Sequence, residues 1–371
     1  MDFQITKLRE RVLTAHLPRE LEEKLLIQLE RLSYALKASA AGSFGVYEQT
    51  VAYVEWCLSL PWHSMSEDKL DIGYAKQIFN KNHYGLEKLK ARILEFMSVI
   101  ILQRKREKEN KQETVNSKQG TIDYCPVPTS SVKDTKVYQA PILCFVGLAG
   151  TGKTTMAISV AEALGRQLIR IPFGGLASAL DLRGLSRVHP EAEPGLLIKA
   201  LRRVNVKNPV ILLDELDRVS DDKRQEIMGV LIELLDPAQN NAYVDNYIDF
   251  PFDLSSAIFV ATANNINKVA TAVLDRMEVI QMPSYTDDEK LHIAKDYLLP
   301  SAIKEAGVPP AAIVVDNKAW PVLVRPLGFD AGIRTLHRVI QGMVRRVAWK
   351  MLNGEGTTFL INDLNYREFM E

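Results

Sequence analysis

A glycine-rich stretch that ends in lysine and threonine offers the most specific chemistry in this sequence. It fits the phosphate-binding pattern G-x-x-x-x-G-K-[ST] and reads Gly147-Leu148-Ala149-Gly150-Thr151-Gly152-Lys153-Thr154-Thr155. Successive backbone N–H groups of such a loop, together with the N-terminus of a following helix, form a nest for phosphate oxygens. Lys153 would reach the β- and γ-phosphates of a nucleotide, and the Thr154 hydroxyl would bind Mg²⁺. The stretch therefore predicts a site for ATP and Mg²⁺.

The residues on either side give this loop the context that the pattern needs. The apolar run at residues 142–146 is typical of a buried strand, and residues 154–164 have the pattern of a helix that stops at Gly165. Glycine is needed where the backbone turns with a positive φ angle and comes close to the ligand. The alternative, a glycine-rich turn with a chance lysine, is disfavoured by these flanks.

A pair of acidic residues, Asp214 and Glu215, directly follows the apolar run at residues 210–213. Ligands of parallel α/β sheets bind at the carboxyl ends of the strands, so we expect this pair beside the loop. Asp214 would hold Mg²⁺ through water, and Glu215 would orient and deprotonate the attacking water. A solvated acidic turn is the weaker interpretation, because a buried strand leads directly into the pair.

Three more polar residues are candidates for the same site on weaker signals. Asn264 follows the next apolar strand, where its amide could hold the attacking water, although asparagine often ends strands for turn reasons alone. Arg276 and Arg334 could stabilise the charge that develops during phosphoryl transfer. Taken singly, each arginine is more often a surface residue.

The composition is that of an ordinary soluble globular protein. Lys+Arg and Asp+Glu each total 46 among 371 residues, so no global charge attracts nucleic acid or an anionic membrane. The charged run at residues 104–111 is more often a solvated helix end than a nucleic-acid site. No apolar run is long enough to cross a bilayer, and no signal peptide follows Met1. Since the three cysteines lack metal-type spacing, a reduced, cytoplasmic protein is the simplest expectation.

The apolar periodicity divides the chain into three parts. Leucines recur at three- and four-residue steps before residue 40 and predict, with a second helix, a helical arm at residues 1–62. Residues 63–285 alternate helices with uninterrupted apolar strands, which indicates an α/β domain with a parallel sheet covered by helices on both faces. Residues 286–371 predict a small, mostly helical domain.

Several boundaries within these parts are specific enough to compare with a structure. A polar segment at about residues 112–140 predicts a long loop. In the last part, we expect a helix that stops at Pro300 and a second helix at residues 331–352. The strands of the sheet are expected at residues 142–146, 168–171, 210–213, 258–261 and 279–280.

Taken together, these motifs resemble those of AAA+ ATPases, and closely those of the ATPase module of Lon-type ATP-dependent proteases. The resemblance covers nearly the whole chain and implies an AAA+ P-loop sheet, with a helical arm before it and a helical lid after it. The strings that carry it, besides the loop, include Leu58-Ser59-Leu60-Pro61-Trp62, His83-Tyr84-Gly85-Leu86-Glu87-Lys88, Leu213-Asp214-Glu215-Leu216-Asp217, Leu235-Asp236-Pro237-Ala238-Gln239-Asn240, Leu274-Asp275-Arg276-Met277-Glu278-Val279-Ile280 and Ala331-Gly332-Ile333-Arg334.

The resemblance also implies roles that spacing alone does not. Asn264 matches the sensor-1 position, and Arg334 matches sensor 2 on the lid. Arg276 matches the arginine finger, which acts on ATP in the neighbouring subunit. Tyr84 and Gly85 match the segment that closes over the adenine. An arginine finger that acts on a neighbouring subunit implies a homo-oligomeric ring, which is a hexamer in relatives of this kind. The resemblance further implies that such a ring threads unfolded polypeptide through its pore.

The sequence departs from the family pattern in the parts that handle substrate. The chain ends at Glu371, where the resemblance places the start of the peptidase domain, so we expect no peptidase site, and the family's N-terminal substrate-binding domain is not matched. His189 and Pro190 stand where the family's pore loop has an aromatic and an aliphatic residue. Residues 224–227 replace a second family motif, Arg-Gly-Asp-Pro.

These departures leave two main hypotheses. The leading one is an ATP-hydrolysing motor module of a Lon-type protease, which unfolds and translocates damaged or unfolded protein. The alternative is an ATP-dependent switch or scaffold that assembles without moving protein. A role in remodelling nucleic acid is third, and it depends only on the charged run at residues 104–111.

Overall fold

The protein is described by a computed structural model, which covers residues 2–38, 44–117, 142–325 and 332–370. The strands are β1 (Ile142–Val146), β2 (Leu168–Pro172), β3 (Val210–Asp214), β4 (Tyr243–Val244), β5 (Pro251–Phe252), β6 (Ile258–Ala263), β7 (Met277–Gln281), β8 (Ile313–Val315) and β9 (Phe359–Ile361). The helices are α1 (Asp2–Thr14), α2 (Arg19–Ala38), α3 (Phe44–Leu58), α4 (Ile72–Asn82), α5 (Glu87–Ser117), α6 (Lys153–Leu164), α7 (Leu180–Arg183), α8 (Leu196–Val204), α9 (Arg224–Leu234), α10 (Thr271–Leu274), α11 (Asp287–Ile293), α12 (Leu299–Glu305), α13 (Trp320–Val324) and α14 (Arg334–Leu352).

A parallel sheet lies at the centre, with its strands in the order β2–β3–β6–β1–β7. All residues of β3 are buried. Helices or loops cover both faces of the sheet, so the strand does not alternate apolar and polar residues as a strand with one solvent-facing side does. Each strand predicted from the sequence is present within about two residues of its expected bounds, a usual margin for element ends. The α/β fold class with a parallel sheet is confirmed.

Successive residues of β3 face opposite sides of the sheet, and each side has its own apolar cluster. Ile211 and Leu213 belong to a cluster that also contains Leu25 of the arm. Leu212 belongs to a cluster with α5 and α6 on the other side. Tyr53 of α3 donates a hydrogen bond to the carbonyl of Ile248 at 3.0 Å. The helical arm therefore shares a core with the α/β part, and the domain limit at residue 62 stays a prediction.

Two predicted boundaries are wrong. The segment predicted to be a loop from residue 112 is helical as far as Ser117, where α5 ends; residues 118–141 lie outside the described ranges. Pro300 does not stop its helix. A π-helical turn (Ala294–Leu298) changes the hydrogen-bond register just before it, and Pro300 then lies in the first turn of α12, where its missing N–H is not needed.

The last part packs around its own apolar cluster, which includes Trp320 of α13 and Val344 of α14. Its only described strands, β8 and β9, form a small parallel pair. The predicted helix at residues 331–352 is α14, which begins at Arg334. No helix in the described ranges is long and apolar enough to cross a membrane.

Candidate functional site

The glycine-rich loop leaves the end of β1 and leads into α6, as its flanks predict. The N–H of Gly147 donates to the carbonyl of Ala263 at 3.2 Å, which ties the start of the loop to the neighbouring strand β6. Gly152 precedes α6 with φ 92°, a left-handed conformation that side chains disfavour. The loop thus turns its backbone over the N-terminus of α6, in the arrangement that binds phosphate oxygens in other proteins.

The Lys153 ammonium is folded back onto its own loop. It donates to the carbonyls of Gly147 and Leu148 at 2.7 and 2.8 Å, and to Oδ1 of Asn264 at 2.9 Å. Burial lowers the pKa of Lys153, and the nearby carboxylates of Asp217 and others oppose that shift. A buried cation is thereby held at the mouth of the loop by neutral oxygens, which an anionic ligand could replace.

Asn264 directly follows β6, and only the oxygen of its side-chain amide has a hydrogen-bond partner among the described residues. Its Oδ1 accepts from Lys153, and its backbone N–H donates to Oδ1 of Asp217 at 2.8 Å. Its Nδ2 is buried and has no hydrogen-bond partner within the described part of the chain. A buried donor without a partner is costly unless a ligand or water accepts from it, so this atom points to a bound oxygen.

Asp214 ends β3, and its carboxylate is contacted from both neighbouring strands. Oδ1 accepts from the hydroxyls of Thr154 at 3.2 Å and Thr262 at 2.5 Å. Oδ2 accepts from Nε of Arg170 at 2.7 Å, with Nη2 at 2.6 Å. The Asp214 side chain is only 2% exposed, so these partners determine where its oxygens lie. The predicted proximity of Thr154 and Asp214, the two expected Mg²⁺ residues, is present.

Glu215 follows in a left-handed backbone conformation, with φ 58° and ψ 52°. Its N–H donates to Oγ1 of Thr262 at 2.9 Å, and its carbonyl accepts from the N–H of Arg218. Its side chain is about two-fifths exposed, at 41%, and lies 4.0 Å from Nε of Arg218. The carboxylate is therefore presented to the cavity while the backbone beneath it is held.

The helical part after β7 closes directly over the loop. The N–H of Ile333 donates to the carbonyl of Gly150 at 3.1 Å. A Cβ at Gly332 would meet the carbonyl oxygen of Ala149 at 2.5 Å, so the two backbones touch. Arg334 begins α14 at this contact. A cavity of about 360 Å³ lies between the loop and this lid; its lining is Ala149, Gly150, Gly152, Lys153, Thr154, Thr155, Asp214, Glu215, Thr262, Asn264, Leu298, Ile333, Arg334 and His337.

The structure brings together most, but not all, of the candidate residues. Tyr84 and Gly85 lie against α11 of the lid instead of lining the cavity, and the Tyr84 ring stacks on His292 at 5.1 Å. Arg276 also lies outside the cavity. It donates to the carbonyl of Ala272 at 2.7 Å and lies 3.5 Å from Oδ2 of Asp236. Within one chain, Arg276 therefore does not meet the loop.

Five residues at the site were not predicted from the sequence. Arg170 and Thr262 are polar residues inside strands that are otherwise apolar, a signal that was present but unused. Leu298, Ile333 and His337 line the cavity from the lid. They carry no local signal, because a side chain's position over a distant loop depends on how the lid packs.

The loop with His189 and Pro190 packs beside the arm. Both residues line a crevice of about 230 Å³ together with Glu48 of α3. Arg187, at the base of the loop, stacks on the buried ring of Tyr53 at 3.6 Å. The neighbouring Val188 is 88% exposed. His189 and Pro190 are exposed as well, so the loop borders the crevice beside the arm and remains open to solvent.

Comparison with known proteins agrees with this geometry. Residues 143–285 match the family described as "ATPase family associated with various cellular activities (AAA)". The chain is 39% identical to a Lon protease of Dictyoglomus thermophilum over 97% of its own length and 41% of that protein's. It is 36% identical to a Lon protease of Bacillus thuringiensis, over 98% of the chain and 41% of that protein.

A third relative, Lon protease 2 of Thermus thermophilus, is 41% identical over 81% of the chain and 35% of its own length. The chain therefore spans about two-fifths of the length of these curated relatives. The family match covers the loop, the acidic pair and the sheet that positions them, and the similarity to the relatives extends through the arm and the lid. Residues 143–285 are thus an ATPase domain of the AAA family, and the chain is homologous to the corresponding part of Lon proteases.

Proposed function

We propose that the chain binds MgATP in the cavity between loop and lid, and that hydrolysis drives movement of the lid and of protein substrate. The cavity is the observation that carries this proposal, because one volume collects the loop, the acidic pair and Arg334. The Nδ2 of Asn264, which has no partner among the described residues, and the buried Lys153 ammonium fit an anionic, oxygen-rich ligand.

Each residue has a role in this proposal. Loop N–H groups and Lys153 hold the β- and γ-phosphates, and Thr154 and Asp214 hold Mg²⁺, which neutralises charge on the phosphate oxygens. Glu215 orients the attacking water and takes its proton, and the Asn264 amide steadies that water. Arg334 reports the state of the γ-phosphate to the lid, because it lies where the lid touches the loop.

The oligomeric part of the proposal depends on Arg276. Arg276 lies away from the loop of its own chain, so as an arginine finger it would act on the site of a neighbouring subunit. Such an arrangement requires a homo-oligomeric ring, which the family resemblance implies is a hexamer. Unfolded protein is the proposed substrate of such a ring. A cytoplasmic setting completes the proposal and is supported by the buried free thiols of Cys57 and Cys144.

A switch or scaffold without translocation is the second candidate, and the His189 loop favours it. A grip on polypeptide needs a large apolar or aromatic surface, whereas His189 carries a small polar ring, Pro190 has a small side chain, and both border a crevice beside the arm. Val188, which is 88% exposed, is the large aliphatic side chain that this loop presents to solvent.

Turnover in the presence of unfolded protein separates the two candidates. For a motor, ATP hydrolysis by the purified chain should rise when unfolded casein is added, and Val188→Ser should reduce that rise while basal turnover stays the same. Glu215→Gln supplies the baseline without hydrolysis. Equal turnover with and without casein, together with ATP-dependent assembly measured by light scattering, would favour the scaffold.

A further inference from the structure

Thr262 contacts both residues of the acidic pair, Asp214 and Glu215, although the sequence did not predict it as a site residue. It lies on β6, one residue beyond the pair in which Ala261 faces Leu213 of β3. The residue is completely buried, with 0% of its surface exposed. A polar side chain at such a position in an apolar strand needs hydrogen-bond partners, and both of its partners belong to the acidic pair.

The directions of these two hydrogen bonds are fixed by chemistry. An ionised carboxylate accepts only, so the single hydroxyl proton of Thr262 goes to Oδ1 of Asp214 at 2.5 Å. The N–H of Glu215 donates only, so it binds a lone pair of the same Oγ1 at 2.9 Å. One oxygen atom therefore fixes the side chain of Asp214 and the backbone of Glu215 relative to each other.

The second of these bonds supports an unusual backbone. Glu215 adopts φ 58° and ψ 52°, a left-handed conformation that is unfavourable for a residue with a Cβ. Such a conformation persists only where neighbouring groups hold it, and the bonds that its N–H and carbonyl make do so here. Without the Thr262 hydroxyl, the N–H would lose that partner, and the chain would relax and turn the carboxylate elsewhere.

We propose that Thr262 is a positioning residue for ATP hydrolysis, whose hydroxyl aligns Asp214 and Glu215 with the loop. The inference rests on the roles proposed above for those two acids. It assigns to Thr262 no contact with the reacting atoms. Its effect on the rate comes from where it holds Glu215, and misplacement of a catalytic group by about 1 Å can cost about 10²-fold in rate.

The test compares Thr262→Val with Thr262→Ser. Valine has nearly the same shape and removes only the hydroxyl, whereas serine keeps the hydroxyl and removes a methyl group. Single-turnover hydrolysis at saturating MgATP should slow by about 10²-fold in Thr262→Val, with the KM for ATP little changed. Thr262→Ser should restore most of the rate.

A double variant tests whether Thr262 acts through Glu215. If it does, Thr262→Val should slow Glu215→Gln far less than it slows the parent protein, because the carboxylate that it positions is already absent. Losses that multiply in the double variant would overturn the inference, as would a parent rate in Thr262→Val or a serine variant as slow as valine. Should Glu215→Gln itself hydrolyse ATP at the parent rate, the proposed role of Glu215 fails instead.

Discussion

The guanidinium of Arg170 lies 2.6 Å from Oδ2 of Asp214, so a positive charge from β2 occupies one oxygen of the carboxylate expected to hold Mg²⁺. The arginine side chain is 58% exposed, whereas Asp214 is 2% exposed. A metal ion that approaches Asp214 therefore meets a cation that can swing away into solvent. If Asp214 holds Mg²⁺ as proposed, Arg170 would weaken that binding while it keeps the Asp214 carboxylate oriented.

We therefore expect Arg170→Gln to lower the Mg²⁺ concentration needed for ATP binding. Because the Arg170 end of this ion pair is exposed, we take the range for exposed pairs, about 0.2–1 kcal/mol, and the shift should then be about 1.4- to fivefold. A Mg²⁺ titration followed with a fluorescent ATP analogue measures it. Arg170→Lys, which retains the charge, is the matched control and should stay near the parent value. An unchanged or higher Mg²⁺ requirement in Arg170→Gln would contradict the prediction.

Loss of the loop lysine should abolish nucleotide binding. Lys153 is 8% exposed and is held by the carbonyls of Gly147 and Leu148, which places its charge within the loop. In Lys153→Ala the phosphates lose that charge, and calorimetry should detect no MgATP binding. Thermal unfolding without nucleotide serves as a control for folding. An affinity equal to that of the parent would mean that ATP binds elsewhere.

Glu215→Gln should separate binding from hydrolysis. The amide keeps the size of the side chain but cannot accept the proton of the attacking water, and loss of a general base typically costs about 10²–10⁴-fold in rate. We expect ATP to bind with an affinity near that of the parent protein, while phosphate release slows by that factor. Turnover at the parent rate would place the base at another residue.

Arg276 should act on the site of a neighbouring subunit. Asp236 and the Ala272 carbonyl hold its guanidinium away from its own loop. Arg276→Ala subunits retain an intact loop, and Lys153→Ala subunits retain the arginine, so mixed assemblies would contain interfaces with both. Mixing the two inactive variants should restore some ATP turnover. If mixed assemblies form and turnover never exceeds the sum of the separate variants, the trans assignment is wrong.

His83 should make the stability of the fold depend on pH. It is 4% exposed, its Nε2 lies 2.8 Å from Oγ of Ser159, and burial lowers its pKa to about 4, with a smaller contribution from Lys90. In the unfolded chain a histidine titrates near 6.5. As the pH falls, the unfolded chain is therefore protonated at His83 before the folded protein is. The free energy of unfolding keeps its full value above about pH 6.5 and decreases as the pH falls toward about 4.

The expected loss is about 2 kcal/mol between pH 7.5 and 5, from the linkage between protonation and folding. Urea unfolding at several pH values measures it, and His83→Gln, which retains hydrogen-bonding capacity toward Ser159, should show a smaller pH dependence. If the free energy of unfolding changed with pH in the same way in both proteins, His83 would not be the cause of the pH dependence.

Local patterns in the sequence predicted the elements that carry the site. The glycine spacing before Lys153 identified the loop, and apolar runs identified the strands that lead into Asp214 and Asn264. Such patterns can be interpreted without a structure because strand burial and helix periodicity leave their signal in adjacent residues. The same holds for the family resemblance, which depends on uninterrupted strings of residues.

Contacts between strands and between domains were decided only by the tertiary structure. The pairing of Asp214 with Arg170 and Thr262 follows from the order and register of β2, β3 and β6, which are separated in sequence by long connections. The contact of Gly332 with Ala149, and the place of His337 in the cavity, follow from how the lid packs. No local period encodes these contacts, because they depend on the relative placement of elements that fold far apart along the chain.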